Sequence, residues 1–163
     1  MRRGILWSMS DFPGKSVSLL IVLLTAAVLF SIRLAGPPDL MDDDQERPAA
    51  YVLDAVQNGH WICQRDWMGG VMSKPPLYTW LSAAATWPFE RINRFSLYLP
   101  AALSVGAAAC LILLAGRKFF GPSAGFFGAL MLLLSPIMAR QMALARTDSL
   151  FMFTITAAAF VAF

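Results

Sequence analysis

A few positions in this chain carry side chains that could act on a phosphate and a hydroxyl. An acidic run, Asp42-Asp43-Asp44, is followed one helical turn later by Arg47. Lys74 stands directly before Pro75-Pro76, and Asp148 follows after two long apolar stretches. A carboxylate can take a proton from a hydroxyl. A guanidinium and an ammonium can hold a phosphate through charge-assisted hydrogen bonds. Brought to one membrane interface, the set would suit a phosphate-headed lipid and a hydroxyl acceptor. The acids alone have a plainer reading, because carboxylates at a helix N-terminus cap it and favour its dipole. Whether these positions share one place separates the two readings.

The elements that must position them are mostly apolar. Of the 163 residues, 58% are hydrophobic and 14% charged, a balance that a soluble domain of this length seldom shows. The apolar residues fall in uncharged runs at 17–36 (interrupted by Arg33), 95–116, 119–139 and 149–163. A helix of about 20 such residues crosses a ~30 Å hydrocarbon core. These spacings predict an all-α membrane protein with three complete spans and the start of a fourth. The last run stops at Phe163 without a polar flank, so the expectation is a chain cut in mid-helix. Gly121, Gly125 and Ala129 at four-residue spacing predict close helix packing in the third run. The net charge of +3 is scattered or sits at the ends of apolar runs, with no basic stripe or motif for nucleic acid.

Arg2, Arg3 and Lys15 place the N-terminus in the cytoplasm by the positive-inside rule, which makes 37–94 an external loop at the plasma membrane. Two helices are expected inside that loop. Asp44 is a candidate N-cap for the first, with Pro48 tolerable in the first turn. Tyr51, Val52, Ala55 and Val56 form its apolar face, and Asn58-Gly59 its end. The second, 75–89, is aromatic-rich and too short to span, which predicts a helix lying at the interface. His60 reads as an ordinary loop residue. Cys63 and Cys110 should lie at different membrane depths, which argues against a disulfide.

Several segments in order resemble a known family. Asp44-Gln45-Glu46-Arg47, then Asn58-Gly59-His60-Trp61, then Lys74-Pro75-Pro76-Leu77-Tyr78-Thr79-Trp80-Leu81 are similar to the first external loop of membrane glycosyltransferases of the protein-mannosyltransferase and aminoarabinose-transferase superfamily. The likeness continues through 94–103 and 116–121 to Ala145-Arg146-Thr147-Asp148. It implies the N-terminal part of a GT-C type helix bundle, a polyprenyl-phosphate sugar as donor, and inverting transfer to an acceptor hydroxyl. By the same resemblance the base falls on Asp44, or on Asp43 after a one-residue slip. Arg47 and Lys74 fall on positions that hold the lipid phosphate, and Asp148 on a second acidic position that orients the acceptor or is structural.

The chain departs from the family at two places. Pro48-Ala49 stands where Tyr-Ala is usual, and Ser73 where an acid often precedes the Lys-Pro pair. The second difference removes a metal ligand, so neither a metal nor another cofactor is expected. The partners implied are the lipid-linked donor, an acceptor of open class and membrane lipids. Two other function classes remain at this level: a membrane protein that holds polyprenyl phosphate without chemistry, and a structural membrane subunit whose loop acids are caps.

Overall fold

The computed structural model describes residues 13–37 and 43–162, with the backbone alone at Asp43 and Asp44. Among the described residues seven α-helices follow one another: α1 Lys15–Ala35, α2 Asp43–Asn58, α3 Leu77–Thr86, α4 Arg94–Phe119, α5 Pro122–Leu134, α6 Pro136–Gln141 and α7 Asp148–Ala162. A 3₁₀ turn, Trp87–Phe89, extends α3. α1 and α4 have 21 and 26 residues, or roughly 32 and 39 Å at 1.5 Å per residue, enough to cross a bilayer core. α1 leaves Leu20, Leu23, Leu24, Val28 and Ile32 exposed, a surface suited to lipid rather than water.

Polar groups fix the direction of these helices. Arg94 Nη1 donates to Gly36 O at 2.6 Å, and Arg117 Nη1 to Ser18 Oγ at 3.3 Å. The start of α4 therefore meets the end of α1, and the two run antiparallel. α4 is entered through a capping box: Ser96 N–H donates to Asn93 Oδ1 and Asn93 N–H to Ser96 Oγ. Its last turn includes Arg117 and Lys118, so the reversal to α5 lies at Phe120-Gly121. Gly121 has φ +98°, which its missing Cβ permits.

α5 returns antiparallel against α4 with almost no gap. A Cβ on Gly116 would stand 2.4 Å from Gly125 Cα, and one on Gly125 would stand 2.4 Å from Leu113 O. Gly125 and Ala129 thus face α4, whereas Gly121 is spent on the turn. The apolar run at 119–139 was expected to be one span. It is divided instead, because Ser135 is extended (φ −60°, ψ 127°) before Pro136, and a new short helix begins there. Proline disfavours the α conformation in the residue before it and supplies no N–H to continue the ladder.

Two apolar clusters result. One joins α1, α4 and α5 through Val22, Ala26, Val105, Ala109, Leu113, Ala129 and Leu133. The other lies at the loop end, where Val52 of α2, Tyr78 and Ala83 of α3, Leu97 and Tyr98 of α4, and Ala143 and Ala145 pack together. The second cluster gathers the segments that carry the candidate site residues onto one end of the bundle.

Candidate functional site

α2 begins at Asp43, so Asp44 lies inside its first turn rather than at the cap. Pro48 is consequently in the second turn, where its missing N–H leaves the Asp44 carbonyl without the usual helical donor. The side chains of Asp43 and Asp44 lie outside the described residues. Arg47 follows Asp44 by three residues, a spacing that makes neighbours on one helix face.

Lys74 and Asp148 are brought together. α3 starts directly after Pro75-Pro76, and α7 starts at Asp148 itself. Between them lies a cavity of about 300 Å³, to which both residues contribute along with Tyr78 and the apolar Leu77, Leu150 and Phe151. Thr147 and Thr154 add two hydroxyls. A second cavity of about 230 Å³ shares Leu150 and continues along Leu81, Leu103 and Phe153 between α3, α4 and α7. The α3 wall is anchored to α4: Tyr78 is buried, its hydroxyl donates to Leu97 O, and burial pushes that phenol up from its ordinary pKa. A cation and a carboxylate thus line one largely apolar cavity.

Arg47 is not among the residues that line this cavity. Its Nε lies 4.0 Å from Asp66 Oδ2. Asp66 belongs to a short hairpin in which Arg65 pairs with Val71 and Met72 N–H donates to Gln64 O at 2.9 Å. Trp80 Nε1 donates to Trp61 O at 2.7 Å and ties the same loop to α3.

Two functional-looking acids escaped the sequence reading. Asp54 is buried and accepts from Asn58 Nδ2 at 2.7 Å and Arg65 N–H at 2.8 Å, with His60 Nδ1 3.1 Å away. The Asn58 amide, ahead of the Arg65 and His60 contacts, holds this carboxyl below its ordinary pKa against the opposing effect of burial. His60 lies in the loop after α2, and its ring contacts Asp54. The Asp54/Asn58 spacing of four residues was a readable signal. Asp66 was signalled by Gly69-Gly70 a few residues on, a turn signature around an Asx side chain.

A family model described as dolichyl-phosphate-mannose-protein mannosyltransferase matches residues 73–163, a span that contains Lys74 and Asp148 but begins after Asp44 and Arg47. No curated protein matches the chain. Among solved structures, ArnT from Cupriavidus metallidurans in the apo state is similar at a TM-score of 0.74 and 21% identity, over 86% of this chain and 26% of that one. ArnT from the same organism bound to undecaprenyl phosphate is similar at a TM-score of 0.69 and 20% identity, over 88% of this chain and 26% of that one. The chain thus spans about a quarter of the length of ArnT and shares its helical membrane fold. Since the family match takes in more than half of the 163 residues, the chain belongs to the dolichyl-phosphate-mannose-protein mannosyltransferase family.

Proposed function

We propose that this chain forms part of a glycosyltransferase that moves a sugar from a polyprenyl phosphate to an acceptor hydroxyl at the outer face of the plasma membrane, with inversion. The observation that carries the reading is the cavity between α3 and α7. It offers Lys74 and Asp148 beside apolar walls. A phosphate at the ammonium would leave its prenyl tail against Leu77, Leu150 and Phe151, surfaces of the matching polarity. Membership of the mannosyltransferase family, and the likeness to a structure that holds undecaprenyl phosphate, support the same donor class.

In the proposed step the acceptor oxygen attacks the anomeric carbon while the bond from that carbon to the phosphate oxygen breaks. The hydroxyl proton passes to the Asp44 carboxylate, with Asp43 as the neighbouring alternative. The electron pair leaves with the lipid phosphate, whose growing charge Lys74 stabilises at the cavity, joined by Arg47 of α2 from outside its lining. Fixed cations aimed at a developing anion lower the barrier more than they tighten ground-state binding. Asp148, at the head of the cavity, orients the acceptor. The driving force for transfer resides in the sugar–phosphate linkage of the lipid donor, so the reading requires no nucleotide.

Lys74 gives the direct test. In the full-length protein reconstituted in nanodiscs, Lys74→Ala should weaken binding of undecaprenyl phosphate by about tenfold or more, the scale of one lost charge-assisted contact. Unchanged affinity would remove the donor phosphate from this cavity.

A further inference from the structure

Arg47 faces a carboxylate that the family resemblance does not account for. Asp66 Oδ1 accepts from Met68 N–H at 3.0 Å and from Gly70 N–H at 2.7 Å. The Asp66 backbone closes the same turn, donating to Gly70 O at 2.9 Å and accepting from Gly69 N–H at 3.0 Å. Gly69 has φ +81°, and a Cβ on Gly70 would stand 2.8 Å from Asp66 Oδ2, so both glycines are needed for this arrangement. The Asp66 side chain is 9% exposed, whereas that of Arg47 is 52% exposed. The carboxylate is thus fixed by its own turn, with Oδ2 at an ion-pair separation of 4.0 Å from Arg47 Nε. The arginine is the adaptable partner. Tyr51, one turn along α2 from Arg47, senses both charges: burial first and then Asp66 raise its pKa, and Arg47 opposes them.

As a staple for the fold this pair is poor. It is 4.0 Å long and half in solvent, a geometry that stabilises little. Orienting a guanidinium is a different task. An arginine held at its Nε edge keeps its two terminal nitrogens, the edge that matches a phosphate bidentately. We propose that Asp66 is a positioning residue, which holds Arg47 by Nε so that its terminal nitrogens face the phosphate of the lipid donor. The proposal rests on the reading of Arg47 as a donor-phosphate group.

Asp66→Asn separates the two duties of this side chain, because the amide oxygen still accepts from Met68 and Gly70 while the charge toward Arg47 is gone. The experiment is a double-mutant cycle on the full-length protein in nanodiscs, with undecaprenyl phosphate as the probe and the thermal midpoint as a second readout. Asp66→Asn should weaken binding roughly fivefold, within the range of coupling between neighbouring charges, and leave the midpoint unchanged. In an Arg47→Ala background the same substitution should have no further effect on binding. Equal weakening in both backgrounds, or a lowered midpoint, would assign Asp66 to the fold and overturn the proposal. Binding that responds to Arg47→Ala but not to Asp66→Asn overturns it while sparing the donor reading. A wild-type protein with no saturable binding of undecaprenyl phosphate sinks both.

Discussion

Asp54 holds together segments that the chain alone would leave apart. Its carboxylate takes donors from α2 itself, through Asn58, and from the hairpin, through the Arg65 backbone and His60. Removing a buried acceptor strands those donors, so Asp54→Ala should cost about 1–3 kcal/mol in thermal unfolding. The carboxyl is held below its ordinary pKa, so its contribution is present above the ordinary carboxylate value of ~4. It is lost as pH falls through the lower, folded value, because the unfolded chain takes up the proton first. Hydrogen exchange at the Arg65 amide should show this as protection at neutral pH that disappears in acid, and Asp54→Asn should lack the acid step. An acid step that survives in Asp54→Asn would assign it to another group. At this scale the sequence was informative about types and silent about partners. Lys74 and Asp148 could be singled out by resemblance, but their place at one cavity depends on how α3 and α7 each pack on α4. The pairing of Arg47 with Asp66 spans a hairpin whose register no local pattern announced.

The elements were more legible than their junctions. α2 and α3 occupy the segments where apolar periodicity and proline placement put helices, and Gly59, with φ +74°, follows the end of α2. Run length identified the two long helices, because hydrophobicity over about 20 residues is a signal a short window cannot imitate. Ser135-Pro136 was missed because composition alone carries 119–139 as a continuous run, while the break comes from one proline ring and the residue before it. Small residues in α5 predicted a close contact, but not that Gly116 of α4 is the other half of it. Gly125→Ala should therefore force α4 and α5 apart and lower stability by about 1–3 kcal/mol, as overpacking does. Gly128→Ala meets only the Ile112 Cγ2 atom, at 3.3 Å, and should be milder. Thermal melts of the full-length protein in detergent compare the two, and equal midpoints would mean that the Gly116–Gly125 contact does not constrain the helices.

Taken whole, the molecule is a helical bundle with its chemistry-bearing residues gathered at one end. α1 and α4 run antiparallel, α5 returns, and α7 leaves again beside α4, which brings α2, α3 and the segment 142–148 to the end marked by the Arg94–Gly36 contact. That end faces outward in the proposed orientation. Cys63 is exposed on the loop, whereas Cys110 sits within α4. A membrane-impermeant maleimide should label Cys63 in intact cells, and the Cys63 signal, read on the peptide that contains it, should be absent from Cys63→Ser. Labelling of Cys63 only after the membrane is opened would invert the orientation. Fold and family could be read from ordered motifs spread over most of the chain, because each motif sits where a helix begins or ends. The acceptor could not, because no residue in the chain carries a signature for it. Sugar transfer by the full-length protein, measured with Asp44→Asn beside wild type, tests the central claim most directly. The account predicts that Asp44→Asn abolishes transfer while binding of undecaprenyl phosphate persists, with Asp43→Asn far less affected. Transfer that continues at the wild-type rate in both Asp44→Asn and Asp43→Asn would contradict it.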